Sequence, residues 1–489
     1  MNHKRHHRGD LQLIARRAME DRGLLPDFSH EALKELEAID GPALETGGGV
    51  EDLRSLLWCS VDNDDSRDLD QLSVGEDLGG GKVRIRVAIA DVDGLAPLGS
   101  AIDEHARQNT ASMYVAGQVY PMVPERLSTD LTSLNPKVDR MSLVLNYVVD
   151  RDGALSEEGI TRAVVHNQAQ LAYNSVAAWL DGKGPLPNPA AAVPGMDNQI
   201  RLQEGVAQHL RHRRHQEGAL DLESIEARPI FRDDMVVGLK AEKPNRAKWM
   251  IEEFMIAANG VVARFLEKNQ RPSLRRVVRS PERWAKLVLL AENLGEALPN
   301  DPDAKALEGF LVKRRAADPI RFPDLSLSVV KLMGAGEYVA ENAGDTHLGH
   351  FGLSVKDYAH STAPNRRYPD LITQRLLKAT LAGEPPPYSL DDLALIARHC
   401  TLQENNIAKV QRQVHKSAAV LLLEQRLGER FEGLVTGAAE KGTWVRLFDP
   451  PVEGRLVYGA RGLRVGDKLR VRLEHTNFER GYLDFSRIV

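Results

Sequence analysis

Residues 60–71 read SVDNDDSRDLDQ and place five aspartates within the nine positions 62–70, between apolar segments on either side. Carboxylates held within a few ångströms of one another repel, which raises their pKa values and strains any fold that gathers them. A hard divalent cation with oxygen ligands relieves that strain, and magnesium is the natural candidate. The competing reading is a solvated acidic loop, the usual fate of a charge run. Its surroundings count against it, because Leu56, Leu57 and Trp58 precede the string and an apolar strand pattern follows. A calcium EF-hand fails as well: Asp62, Asp64 and Ser66 suit its first, third and fifth positions, but Arg67 stands where glycine is required and Ser73 where the closing glutamate belongs.

The 489 residues exceed what one compact core holds, so the expected fold class is α+β and multidomain. Residues 1–48 read as a small helical domain, helix-turn-helix-like in one version, with apolar positions Leu11, Ile14, Ala15 and Ala18 at helical spacing and Ser29 as an N-cap. Residues 52–390 form a mixed α/β domain. It opens with the alternating strand VRIRVAIADV at 83–92, after a turn carried by Gly79, Gly80 and Gly81. Helices are expected at 249–268 and 370–382, and residues 391–428 read as a helical connection. Residues 429–489 switch to short strands with turns at 440–442, 449–454 and 464–467, the rhythm of a small closed barrel.

A net charge of -5 means that a nucleic-acid partner has to be held by local basic patches. The two cysteines, Cys59 and Cys400, lie far apart and form no CxxC pattern, which fits a reducing, cytoplasmic compartment. No apolar run reaches membrane-spanning length, and no signal peptide or membrane helix is expected.

Asp62, Asp68 and Asp70 form a spaced set in which the last two face the same way if that stretch is extended. Such oxygen ligands suit one or two magnesium ions that coordinate a phosphate and activate a water, which implies metal-assisted phosphodiester hydrolysis. A second constellation, HSTAPNRRYPDL at 360–371, sets Arg366 and Arg367 beside a tyrosine between two prolines. Guanidinium groups match phosphate oxygens, and a phosphoryl transition state needs positive charge as well as metal. A solvated surface pair remains the bland alternative. The run HLRHRRH ending at His215 is either a helix face for RNA or a solvated helix. GEDLGGGKV lacks Walker A spacing, and neither a GxSxG elbow nor an HExxH motif occurs.

Taken in order, SVDNDDSRDLDQ, VAIADV, SMYVAGQVYPMVPERLSTDLTSLNP, IEEFMIAAN, HFGL and APNRRYPDL resemble the ribonuclease II (RNB) family over roughly residues 52–489. The resemblance implies a magnesium-dependent, processive 3′ to 5′ exoribonuclease that acts on single-stranded RNA as a monomer and releases nucleoside 5′-monophosphates. It implies an OB-fold RNA-binding barrel at the carboxyl end. On this reading Asp62, Asp68 and Asp70 hold magnesium, with Gln71 a neutral fourth ligand at best, and Arg366 clamps the scissile phosphate. Tyr114 stacks on the terminal nucleotides, Tyr173 and Glu252 sense the ribose, and Arg367 joins the substrate contacts.

The chain also departs from that pattern. Gln71 replaces an aspartate, Leu222 takes the place of a second stacking aromatic, and Gln411 stands where some relatives carry an acid. Members commonly carry two cold-shock barrels before the catalytic domain, and the leading helices are expected to help form the RNA entrance instead. The rival readings are an RNA-binding protein with a decayed nuclease site and a 3′ exonuclease acting on DNA.

Overall fold

The computed structural model describes residues 7–45, 48–223, 227–232, 235–241, 244–439 and 442–488. Its centre is a seven-stranded mixed sheet, in the spatial order Val50–Asp52, Leu155–His166, Asp139–Val149, Lys82–Ala90, Gln71–Gly79, Cys59–Asp62 and Ala169–Ala172. Both outer pairs are parallel and the four inner pairings antiparallel. The strand Lys82–Ala90 alternates at first and then runs fully buried, as expected of a central strand that passes beneath helices on its way to the core.

Two long helices, Met196–Gln216 and Arg246–Lys268, pack on this sheet. The first is stitched to the strand Gln71–Gly79 by amide side chains. Gln199 exchanges both hydrogen bonds with Gly75 (2.6 and 2.9 Å), and Gln203 accepts from the Ser73 hydroxyl at 2.6 Å. A side chain at Gly75 would press on Gln199 and Leu202 at 3.2 Å, so the residue there is glycine because the helix comes so close. The helix Tyr368–Ala382 closes the end of the strand Lys82–Ala90. Its buried Gln374 donates to the Ala90 carbonyl and accepts from the amides of Val92 and Asp93.

Three shorter helices, Trp284–Glu292, Ala304–Ala317 and Phe322–Met333, form a satellite core of their own. A 34-residue helix, Leu390–Leu423, starts from a capping box at Ser389 and runs to a closed five-stranded barrel of residues 430–488. Its apolar face and the barrel interior make one continuous second core, which the leading helix Arg8–Glu20 joins through Leu11, Ile14, Ala15, Ala18 and Met19. The helix His30–Glu37, capped by Ser29 as expected, packs instead on the helix Ala101–Asn109 and the main core. The two leading helices therefore dock on different parts of the molecule and share no core with each other. Cys59 and Cys400 are both buried free thiols. Among the described residues no helix is long and apolar enough to cross a membrane.

The loop 360–367 is held by the helix that follows it. Asp370, fully buried, accepts from the Ala363 amide at 2.8 Å and from Arg367 Nη2 at 2.7 Å. Replacing it with alanine leaves the partly buried Arg367 guanidinium without its carboxylate partner. Asp370→Ala is expected to lower unfolding free energy by about 3–5 kcal/mol in urea titrations.

His105 yields a pH-dependent prediction. Its ring stacks on Phe28 with centroids 4.0 Å apart, and burial pushes its pKa down to about 4. Unfolding frees the imidazole to bind a proton near pH 6.5, while the folded state stays neutral, so stability contributed here falls as pH drops from 6.5 toward 4. The loss is at most about 1.4 kcal/mol per pH unit. The urea midpoint of wild type is expected to fall relative to His105→Phe across that window, and the two should run parallel above pH 7.

Candidate active site

The aspartate string lies where the strand Cys59–Asp62 ends and the strand Gln71–Gly79 begins. Leu69 is buried and anchors the stretch: its amide donates to the Ser133 hydroxyl at 2.9 Å, and its carbonyl accepts from the Leu134 amide at 2.9 Å. With Leu69 turned inward, an extended chain sends Asp68 and Asp70 to the opposite side together. Asp64 and Asp65 are exposed.

The loop 360–367 meets this string. Asp70, only 2% exposed, accepts from the Asn365 amide at 3.0 Å and from Arg366 Nε at 3.1 Å. Arg366 itself is 44% exposed, so one edge of its guanidinium grips Asp70 while the rest reaches toward solvent. The Tyr114 hydroxyl donates to Asp68 Oδ2 at 2.8 Å from the hairpin of strands Met113–Val115 and Gln118–Tyr120, and its ring is exposed. Tyr173 opens the helix Tyr173–Leu180, and its hydroxyl feels both Asp62 and Arg366. Lys248 Nζ lies 5.8 Å from its ring centre.

The electrostatics are those of a site with surplus negative charge. Burial, with Asp68 adding to it, pushes the Asp70 carboxyl up to about 7 although Arg366 opposes the shift. Asp62 is also raised, chiefly by burial. Burial works against the Arg366 charge, yet Asp70, Tyr114, Asp68 and Asp62 hold it above the ordinary arginine value. Burial likewise raises the phenols of Tyr114 and Tyr173.

Among the described residues no three His, Cys, Asp or Glu side chains converge into a cage for an ion. Both Asp70 oxygens and Asp68 Oδ2 accept from protein donors. The donor chemistry nevertheless fits a hard divalent cation: the candidate donors are all oxygens, three carboxylates share one arginine, and added positive charge would relieve the shifts of Asp62 and Asp70. Gln71 begins its strand, paired through the backbone with Ile89 and half-buried.

Other expected site residues lie apart from this cluster. The neighbouring arginines separate: Arg366 serves Asp70, whereas Arg367 turns to Asp370 and, at 3.5 Å, to the Thr362 hydroxyl. Glu252 sits one turn beyond Lys248 on the helix Arg246–Lys268. It lies 3.8 Å from Arg214, and burial raises its carboxyl while Arg214 opposes. Leu222 packs against the satellite core of three helices. Gln411 donates from Nε2 to the Tyr114 carbonyl at 3.3 Å.

The run ending at His215 is neither a free RNA face nor a wholly solvated one. Arg214 forms a buried two-pronged pair with Glu253 (2.9 and 2.6 Å), His215 meets Glu308, and Arg211 stacks on Trp249. Asn365, Asp370 and Ser133, which fix the two loops, were not singled out from sequence. All three fall inside quoted motifs, and the prolines beside Asn365 and Asp370 were the available signal that this loop is rigid.

Residues 50–383 match the RNB domain, and residues 429–488 match the RNase II-type exonuclease C-terminal S1 domain. The chain is 32% identical over 482 residues to Ribonuclease R of Escherichia coli, covering 91% of this chain and 58% of that one. It thus spans less than two thirds of the length of that curated relative. Its fold superposes on Mycoplasma genitalium RNase R in the apo form, with a TM-score of 0.87 at 23% identity, covering 98% of this chain and 78% of that chain. It also superposes on the same enzyme in complex with ribose-methylated single-stranded RNA, with a TM-score of 0.88 at 22% identity and the same coverage. Since the RNB match alone takes in well over half of its residues, this chain belongs to the RNB family.

Proposed function

We propose that this chain is a magnesium-dependent 3′ to 5′ exoribonuclease that threads single-stranded RNA to the Asp70–Arg366 site and releases nucleoside 5′-monophosphates processively. The observation that carries the reading is the contact of Arg366 with Asp70 beside Asp68, Asp62 and an exposed tyrosine, in a chain of the RNB family. The kinship with Ribonuclease R and the RNA-bound neighbour of the same fold support it. A cytoplasmic setting for a monomer belongs to the proposal, on the strength of two buried free thiols.

Magnesium held by Asp62, Asp68 and Asp70 would polarise the phosphate and make water acidic enough to attack near neutral pH. Arg366, already leaning outward, meets the scissile phosphate and offsets the charge that grows on its oxygens as the 3′-oxygen leaves. Tyr114 lies beside Asp68 with its ring face open and grips the terminal base by stacking, which tolerates any sequence. Tyr173, whose hydroxyl feels Asp62 and Arg366, reads the ribose, with Glu252 on the helix packed against its own joining it. Arg367 holds the loop through Asp370 and is assigned no phosphate.

A second reading has one specific observation in its favour: Gln71 supplies a neutral oxygen where the family places an aspartate, as in an RNA-binding protein whose nuclease site has decayed. One experiment separates the two. End-labelled RNA and DNA of matched sequence are incubated with the full chain and magnesium. Release of monophosphates from RNA alone supports the nuclease, and RNA binding without release supports the rival.

Asp70→Asn is expected to lower kcat by at least about 100-fold, with RNA affinity kept or improved. Full activity in that variant would remove the mechanism. Tyr173→Ala is expected to narrow the preference for RNA over DNA by about tenfold, read as the ratio of kcat/KM on the two substrates.

A further inference from the structure

The hairpin that carries Tyr114 is too short to hold itself. Its strands are three residues each, and its turn passes through Gly117 at φ +86°. Isolated two-stranded ribbons are marginal in water. Its position must come from what surrounds it, and the leading segment surrounds it on two sides.

At the turn, Arg8 donates from Nε (2.8 Å) and Nη2 (2.5 Å) to the Gly117 carbonyl. The Arg8 stem lies so close that a Cβ on Gly117 would meet Cγ at 2.8 Å. The same guanidinium sits 5.5 Å from the Phe231 ring centre, which fixes its direction. Beneath the hairpin, Leu11 and Ile14 share the second core with Met113 and Tyr120, the residues that flank the Tyr114 pair in the two strands. At the hairpin's root the buried Asn109 exchanges two 2.8 Å hydrogen bonds with the backbone of Leu25. Thr110, next along the chain, is left in a strained backbone conformation at φ +61°. Strain of that kind persists only where the surroundings enforce it.

We infer that the leading helix Arg8–Glu20 is a clamp on the Tyr114 hairpin, and that Arg8 is a positioning residue for the grip on the terminal nucleotide. This rests on the reading of Tyr114 given above and goes beyond it, since Arg8 bonds the far end of the hairpin and, among the described residues, its contacts are with Gly117 and Phe231 and not with the aspartate cluster. A clamp at the turn sets the tilt of the hairpin, and the tilt sets where the tyrosine ring stands relative to Asp68. Losing the clamp is expected to weaken hold of the RNA end and leave the chemical step alone.

The test uses the full chain as wild type, Arg8→Ala, Arg8→Lys, Tyr114→Ala and the Arg8→Ala/Tyr114→Ala double variant. Amide hydrogen exchange is followed in residues 113–120, with the distant helix Ala304–Ala317 as control, and steady-state kinetics are run on a short single-stranded RNA. Arg8→Ala is expected to speed exchange in the hairpin by about tenfold while the control helix keeps its rate. Its KM is expected to rise about fivefold with kcat within about twofold of wild type. Arg8→Lys, which retains a donor, should recover part of both effects. In the Tyr114→Ala background the Arg8 substitution should add nothing to KM. Unchanged hairpin exchange, or equal acceleration in the control helix, overturns the clamp. A KM effect that adds in full to that of Tyr114→Ala overturns its link to the grip. A wild type that hydrolyses no RNA would fell the nuclease reading instead, and the exchange data would still decide whether Arg8 holds the hairpin.

Discussion

One buried carboxylate ties the molecule's chemistry together. Asp70 accepts a backbone amide and a guanidinium from residues 295 and 296 positions away, and both donors come from a single loop. A charge removed from water survives only when its lone pairs are answered, so this contact requires that strand and loop arrive in one arrangement. The loop could not offer that arrangement unaided. Asp370, one helical turn on, collects Arg367 and the Ala363 amide and so holds the loop from behind. Two arginines adjacent in sequence thereby serve two buried aspartates, Asp70 at the candidate site and Asp370 behind the loop.

The balance of charge around Asp70 explains why such a place suits phosphate chemistry. Burial, more than the neighbouring carboxylates, pushes the Asp70 carboxyl well above its ordinary range, while the carboxylates around Arg366 secure its charge. A site of this kind is poorly satisfied alone and gains from any ligand that brings cation and anion together. Tyr114 and Arg366 occupy aspartate oxygens in the structure, and both side chains are partly exposed.

Much of this was legible in the sequence. The aspartate string, the Ser29 cap, the central strand after the triple-glycine turn and the terminal barrel each rest on local rules of spacing and turn chemistry, and local rules survive folding. What escaped depends on contacts between distant residues. Nothing near Arg366 and Arg367 tells them apart; the distinction comes from which aspartate each meets. HLRHRRH looks like a surface because its partners, Glu253 and Glu308, lie on other helices. Leu222 is placed by a helical satellite whose packing no local pattern announces. The leading segment reads as an independent unit by composition, yet its apolar faces are completed by residues from elsewhere in the chain.

The helix Leu390–Leu423 acts as a ruler. Along its length Gln403 bonds the Gln108 carbonyl, Gln411 the Tyr114 carbonyl, and the Ser417 hydroxyl the Phe478 carbonyl in the barrel. From Gln403 to Ser417 the axis advances about 21 Å, at about 1.5 Å per residue. Each attachment is a graduation on one rigid rod, so the spacing between the tyrosine hairpin and the barrel is set by a residue count. Evolution can lengthen the loops of such a chain freely, but a single residue inserted between those marks would swing the barrel about 100° around the rod. Residue number within this helix is therefore under the kind of constraint usually reserved for residue identity.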